Sequence, residues 1–452
     1  MFKKILVANR GEIALRIIRA CKEMGIPCAA VYSEADENSP HRRLAGESVC
    51  VGSPISAKSY LNADAILDAA KKTGADAVHP GYGYLAEKAE FARACADAGL
   101  EFIGPGPDIL ALAGDKIACK KVMAEAGVPV TPGPPEGVSD VREAARAARE
   151  IGYPALIKSS GGGGGRGIRI CRDEAALQDE FPIARAEAGA AFGDDRVYIE
   201  KLIEKPRHIE FQVLADRFGH IVHLGERECT IQRRYQKLIE ESPSPALTPD
   251  LREKMGEAAV RAAAAVDYFN AGTVEFMLAP DGRFYFIEIN ARIQVEHPVT
   301  EIVTGMDLVK EQIRLSSGGR LSFSSKDVPI RGWAMECRIN AEDPDRGFLP
   351  SPGVIEKCRI PGGPGVRVDT HIHQGYEPPP FYDSLMAKLI AFGPGRKDAI
   401  AVMRRALDEF QISPIKTTIP LHRRIMDDPS FIQGDMDTGF MERFSPGEEE
   451  DD

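Results

Sequence analysis

Nowhere in the 452 residues is there an apolar run of the ~18 residues that a membrane-spanning helix needs, which argues against an integral membrane protein. The nine cysteines never stand as Cys-x-x-Cys but are scattered singly. That excludes a zinc ribbon and a disulfide scaffold, and fits reduced, buried thiols in a cytoplasmic protein. Positive charge is in short supply: the formal net charge is −11, which argues against a nucleic-acid partner. A phosphate ligand needs only local cations and is not excluded. Met1-Phe2-Lys3-Lys4 leads into a strand-like run, not into the apolar core of a signal peptide. The turn after that strand has no Gly-x-Gly-x-x-Gly, so dinucleotide binding there has no support. With 43% hydrophobic and 28% charged residues, the composition is that of a soluble globular protein whose length implies about three lobes.

What is present begins with a βαβ rhythm. Lys4–Ala8 reads as a buried parallel strand and Glu12–Met24 as an amphipathic helix carrying Ile13, Ile17, Ile18 and Cys21 on one face. Strands at Cys28–Tyr32, Ala77–His79 and Phe102–Gly104, with helices between, predict a doubly wound, Rossmann-like unit over 1–113. His79-Pro80-Gly81-Tyr82-Gly83 follows a strand end, a ligand position in such sheets and equally a tight turn. Gly114-Asp115-Lys116 opens the next helix, where a first-turn lysine opposes the helix dipole and makes sense if it reaches an anion.

A proline-rich stretch near Val130–Pro135 then leads into a small inserted lobe. Its strand Ala155–Lys158 runs into Gly161–Gly167, a glycine run that can bring backbone N–H groups close to phosphate oxygens. Lys158 adds a cation, and a mobile phosphate lid is the preferred reading over a linker. The return strand His208–Ala215 places His208, Glu210 and Gln212 on one face. Three basic residues within Arg233–Lys237 call for an anion or a partner in so acidic a chain.

The most informative stretch is Ala271–Leu278, a turn at Ala279-Pro280-Asp281-Gly282, and Arg283–Ile289. Asp-Gly between β-prone runs predicts a hairpin. A two-residue loop sets Glu275 opposite Glu288, and a four-residue loop keeps both on one face. Facing carboxylates repel and want a cation, for which Mg²⁺ suits carboxylates shared with phosphates. Alternation adds Asn290 to that face, with Ile287 and Ile289 turned away. A last lobe from about Arg331 contains Glu336, Arg338 and Asn340 on one strand face, and the acidic end reads as a solvated tail. His371-Ile372-His373 lacks a third ligand and reads as structural.

Taken together, Ala8–Ala14, His79–Gly83, Gly114–Lys116, the Gly161–Gly167 loop, Gln232-Arg233-Arg234-x-Gln236-Lys237, Glu288–Glu301 and Glu336–Pro344 resemble the biotin carboxylase family of ATP-grasp enzymes. The motifs occur in family order across nearly the whole chain. The resemblance implies an α/β and α+β multidomain fold: an N-terminal unit (1–113), an ATP-grasp unit (114–318) with a lid (about 131–203), a C-terminal unit (331–444) and an acidic tail (445–452). Carried over by position, Lys116, Lys158, Gly164, Gly165, Glu200, Lys201, Leu202, Ile203, His208, Gln232 and Tyr235 would bind ATP. Glu275, Glu288 and Asn290 would hold Mg²⁺ or Mn²⁺. Lys237, Arg292, Gln294 and Val295 would position bicarbonate, with Glu296 as base and Arg338 stabilising the biotin enolate. Many family members carry His where Tyr235 stands, so an imidazole role is lost there. No Met-Lys-Met biotin-attachment motif occurs, so biotin is expected on a separate carrier protein, beside a separate carboxyltransferase. A homodimer is implied by the resemblance alone. Another ATP-grasp ligase and a non-catalytic scaffold are the competing readings.

Overall fold

The computed structural model describes residues 1–134, 136–160 and 168–444. The expected phosphate loop with Gly164 and Gly165, and the tail 445–452, lie outside the described residues.

Short apolar strands, each followed by a turn and a helix, build the first unit. β1 (Ile5–Val7), β2 (Cys28–Tyr32), β3 (Gly46–Cys50), β4 (Ala77–His79) and β5 (Glu101–Phe102) form a parallel sheet in the order β3-β2-β1-β4-β5. Helices α1 (Gly11–Glu23), α2 (Pro40–Leu44), α3 (Ala63–Thr73) and α4 (Ala89–Asp97) connect them. On α1, Ile13, Ile17, Ile18 and Cys21 are buried as the periodicity predicts. The strand order reverses between β1 and β4, the place where open α/β sheets leave a crevice. The loops there are tied together: Asn9 Nδ2 donates to the carbonyls of Pro80 (2.7 Å) and Tyr82 (2.8 Å). Gly81 (φ +64°) lies so close to Asn9 and Ile13 that a Cβ would meet both at 3.0 Å. His79-Pro80-Gly81 is therefore a tight turn, and Tyr82, Gly83 and Tyr84 beyond it line a cavity.

After α5 (Pro107–Gly114), Asp115 caps α6 (Lys116–Glu125) by accepting from the N–H groups of Ile117 and Ala118. The inserted unit comprises α7 (Val141–Ile151), β6 (Ala155–Ser159), β7 (Ile168–Cys171), α8 (Glu174–Phe192) and β8 (Val197–Lys201). Its sheet runs β7-β6-β8 and has its own core around Ile157, Leu177, Phe181 and Ile199.

The largest sheet gathers β9 (Arg207–Ala215), β10 (Ile221–Arg233), β11 (Gln236–Ser242), β12 (Asn270–Leu278), β13 (Phe284–Asn290) and β14 (Trp333–Asn340). Two ribbons, β15 (Glu342–Asp343) with β16 (Leu349–Pro350) and β17 (Lys357–Arg359) with β20 (Gln411–Ser413), flank β18 (Val366–Thr370) and β19 (Leu385–Gly393). Its order is β13-β12-β9-β10-β11-β14-β19-β18, antiparallel throughout. The segments read from the sequence as separate central and last lobes thus share one sheet through the β11–β14 pair. Helix α9 (Pro249–Ala265) backs it with Met255, Ala258, Ala259, Ala262 and Ala263. α10 (His297–Thr304), α11 (Leu308–Ser316) and α12 (Arg396–Glu409) complete the frame. Among the described residues no helix is long and apolar enough to cross a membrane.

The β12–β13 hairpin departs from expectation in an instructive way. Ala279 donates to the Arg283 carbonyl, so the loop is Pro280-Asp281-Gly282, three residues with Gly282 at φ +83°. That register alone would oppose Glu275 to Ile287. The ladder slips by one between Phe276 and Glu275, and Glu275 pairs with Glu288 after all. The slip is a β-bulge at Ile287, the device by which a strand re-aims a side chain. Phe286 stays in the core with Phe276, whereas Ile287 lines the cavity instead of turning away from it.

Candidate active site

Between the β1/β4 crevice and the large sheet lies a cavity of about 1070 Å³. Lys237 of β11 is its electrostatic centre. The ammonium contacts Glu210 (2.6 Å) of β9, Glu275 (2.9 Å) of β12 and Glu296 (2.7 Å) of the loop after β13. Burial alone would lower its pKa, but the three carboxylates hold it well above the usual lysine value. Burial would raise Glu275 and Glu296, yet both are held well below the ordinary carboxylate range. Lys237 then His208 act on Glu275, and Lys237 then Arg338 on Glu296. These acids are ionised because cations stand beside them.

Around that centre the hydrogen bonds form a chain. Glu275 Oε1 also accepts from Asn290 Nδ2 (2.9 Å) and Gln294 Nε2 (3.1 Å), and its Oε2 lies 3.0 Å from His208 Nε2. Arg292 donates to Glu87 (2.8 Å), to Gln294 Oε1 (2.9 Å) and to Asn290 Oδ1 (3.1 Å). Arg338 of β14 reaches Glu296 (3.0 Å) and Glu240 (2.6 Å). The carbonyl of Val295 accepts from Lys388 (2.9 Å). Beneath Glu210 lies Arg227, fully buried and held by Glu210, Gln212 (2.8 Å), Thr273 (2.9 Å) and Thr300 (3.0 Å).

The sequence-predicted residues distribute as follows. Lys116 and Lys158 line the cavity and pair with Glu288 (2.7 Å) and Glu200 (2.7 Å). His208, Gln232, Tyr235, Arg292, Gln294, Val295 and Arg338 line it too. Tyr235 sits with Arg234 in a two-residue turn joining β10 to β11, both at positive φ (+64° and +48°). It is 48% exposed, at the cavity mouth. Glu296 is fully buried behind Lys237 and Arg338. Glu200 lies one ion pair back, its carboxylate shared by Lys120 (2.6 Å), Lys158 and Thr131 (2.6 Å) and pulled down to about 2. Lys201 turns its side chain to the carbonyls of Gly152 and Tyr153, and Leu202 and Ile203 follow β8, none of the three on the cavity wall.

Sequence reasoning missed Arg227, Glu87, Glu240 and Lys388. Arg227 and Glu240 carried the one available signal, a charge in a β-prone run. The hairpin carboxylates also pair with lysines, Glu275 with Lys237 and Glu288 with Lys116. Glu275, Glu288 and Asn290 nevertheless present only oxygen ligands to one face of the cavity, a donor set that fits Mg²⁺.

A doubly wound unit, an inserted small sheet and a lysine-and-carboxylate cavity on a large antiparallel sheet define an ATP-grasp enzyme, an ADP-forming ligase. Family models match three consecutive stretches: biotin carboxylase, N-terminal domain, over 1–110; carbamoyl-phosphate synthase L chain, ATP binding domain, over 115–324; and biotin carboxylase C-terminal domain over 336–443. A biotin carboxylase from Nostoc sp. is 56% identical over 98% of this chain and 99% of its own length. A pyruvate carboxylase subunit from Methanothermobacter thermautotrophicus is 55% identical over 99% of this chain and 91% of its own. Among solved structures, the biotin carboxylase domain dimer of Hydrogenobacter thermophilus 2-oxoglutarate carboxylase, crystallised with MgADP, ADP and bicarbonate, is 52% identical. It superposes with a TM-score of 0.94, covering 98% of this chain and 97% of that one. This chain belongs to the biotin carboxylase family.

Proposed function

We propose that the chain is the biotin carboxylase component of an acetyl-CoA (acyl-CoA) carboxylase, carboxylating biotin on a separate carrier protein with ATP and bicarbonate. The observation that carries this reading is the Lys237 centre, where one ammonium and the Arg292–Gln294–Val295 edge converge beside Glu296 and Arg338. Such a cluster suits a small anion and supports bicarbonate over the amine substrates of other ATP-grasp ligases. It also argues against a non-catalytic scaffold, since buried charge without a task is costly.

The units 1–113, 114–318 with its lid, and 331–444 divide the work. Lys116 and Lys158 neutralise the triphosphate, and His208, Gln232 and Tyr235 flank the nucleotide; Glu200–Ile203, which stand behind the cavity wall, and Gly164 and Gly165 are assigned to its site by the family resemblance alone. Glu275, Glu288 and Asn290 would hold Mg²⁺ or Mn²⁺, which would supply charge neutralisation for phosphoryl transfer. Lys237 and Arg292 orient bicarbonate for in-line attack on the γ-phosphate, giving carboxyphosphate. Glu296 takes the bicarbonate proton. A bound anion that shares Lys237 and Arg338 would weaken their hold on the Glu296 carboxylate and so raise its basicity. Carboxyphosphate then breaks into CO₂ and phosphate, the phosphate takes the ureido proton of biotin, and Arg338 stabilises the enolate so formed until its nitrogen attacks CO₂.

The relative with the 2-oxoglutarate carboxylase domain is a dimer, and a homodimer is proposed here. Carrier and carboxyltransferase are separate chains, and the nine free thiols support a cytoplasmic setting. Near-equal identity to the Methanothermobacter pyruvate carboxylase component makes a 2-oxo acid carboxylase the second reading. Two assays test the proposal. Bicarbonate-dependent ATP hydrolysis should rise on adding free biotin, and an unresponsive rate at saturating Mg-ATP would remove the assignment. The carboxyltransferase that co-purifies decides between acyl-CoA and 2-oxo acid.

A further inference from the structure

Two glutamates that this chemistry does not use stand behind Arg338. Glu240 of β11 and Glu336 of β14 are direct partners in the antiparallel ladder, so both side chains leave the sheet on one face. Partners of this kind have Cβ atoms about 5 Å apart, close enough for two glutamate carboxyls to meet. Both residues are fully buried. Glu240 gives Oε1 to Arg338, while its Oε2 and both oxygens of Glu336 have no hydrogen-bond partner.

The surroundings explain the orphaned atoms. Ile390 of β19 is the partner of Glu336 on its other side, and Val299 and Val303 of α10 close over Ala334 and Ile390 in one apolar cluster. An ionised Glu336 there would be a desolvated charge without a donor. A second charge would also stand directly opposite Glu240. One proton resolves all of it. Carried by Glu336 and donated across the ladder to Glu240 Oε2, it leaves Glu240 charged toward Arg338.

We propose that Glu240 and Glu336 share a single proton and act together as a positioning pair for Arg338. This rests on the role given to Arg338 above. Protonated, the pair presents one negative charge behind the guanidinium, balancing Glu296 in front of it. Deprotonated, it would present two and draw Arg338 back from the cavity. The other charged or titratable groups close to the pair are Lys388 of β19, Lys237 of β11, Cys229 of β10, Cys337 of β14, and Glu296 just before α10. Burial pushes Glu240 up to about 7, Arg338 opposing and Glu296 adding to it, and burial raises Glu336 well above the usual range.

Two readouts test the pair. The first is the carbonyl-stretch infrared band of a protonated carboxyl, recorded for the full chain at neutral pH. The band should weaken in Glu336→Gln and in Glu336→Leu, the latter suited to the apolar surroundings if the amide folds poorly. The second is the pH profile of biotin-stimulated ATP hydrolysis. Both Glu336 variants should move the alkaline limb of kcat upward by ~1 pH unit or more, and Glu240→Gln should lower kcat at least ~10-fold with KM for ATP unchanged. An unaltered infrared difference spectrum overturns the shared proton whether or not the chain carboxylates biotin. Superimposable kcat profiles of wild type and folded Glu336 variants overturn the positioning role.

Discussion

Lys237 sets the terms for individual residues at this site. It is the shared cation of three buried carboxylates, so Lys237→Met leaves Glu210, Glu275 and Glu296 without it. Breaking such a cluster costs about 3–5 kcal/mol, and a lowered thermal midpoint together with lost turnover is expected in a melting curve and an ATPase assay. Glu296→Gln is nearly isosteric and keeps a hydrogen-bonding group beside Lys237 and Arg338. It should fold, hold KM for ATP, and lose ~10²–10⁴-fold in kcat, the usual worth of a general base. Near-wild-type turnover in that variant would remove the base role. At this scale the sequence was legible where a residue type is odd for its place. Lys116 in a first helical turn is such a case, and it does line the cavity. Lys388 gave no such sign, because Glu12, the partner that makes this fully buried cation tolerable, lies far away in the chain.

Among the elements, the β12–β13 hairpin decides most. Its inner face is an aromatic cluster in which Phe276 meets Phe211, Phe284 and Phe286 edge to face, while Glu275 beside it faces the cavity. Phe276→Ala should cost about 3–5 kcal/mol by removing a fully buried ring from that cluster, read as a shift of the urea midpoint. Ligand-dependent activity at low temperature should outlast the stability loss. Asp-Gly announced the hairpin, but the loop length came out one residue away from either expectation. Alternation cannot show a bulge, because the extra residue is set by how the ladder closes. Helices α5 and α8 were not read from the sequence. In α8 the internal Pro182 and an alanine-rich composition blur the apolar stripe, and packing against the small sheet fixes the helix instead.

For the whole molecule, buried titratable groups dictate how stability responds to pH. Burial lowers His41 and His422 to about 4 and His79 and His371 to about 3. Unfolded, each would take up a proton near pH ~6.5. Their neutral, buried state is therefore fully stabilising above that value and loses ground as pH falls toward 4. Glu200 and Asp369, both held at about 2 by neighbouring cations against the effect of burial, add a further loss below the ordinary carboxylate range. The Glu240–Glu336 pair runs the other way, its contribution full at acid pH and lost as pH rises through about 7, and burial raises Glu12, Glu101 and Glu228 in the same sense. The histidine share is therefore read by difference: between pH ~7 and pH ~5 the denaturant midpoint of His422→Gln should lose less, or gain more, than that of the wild type. Identical pH slopes in the two would contradict a neutral buried His422.

The sequence by itself determined the order of the units, the strand ends and turns that edge the cavity, and the placing of Glu275 and Glu288 on one face of a hairpin. These follow from local periodicity and from which residue types suit turns, caps and strands. Tertiary structure alone decided that Lys237 gathers Glu210, Glu275 and Glu296 around one ammonium, that the central and last segments are one sheet, and that a bulge at Ile287 aims Glu288. Those outcomes depend on long-range pairing and on burial, where a charge is tolerated only beside its counter-charge, and neither is encoded in any single stretch of chain.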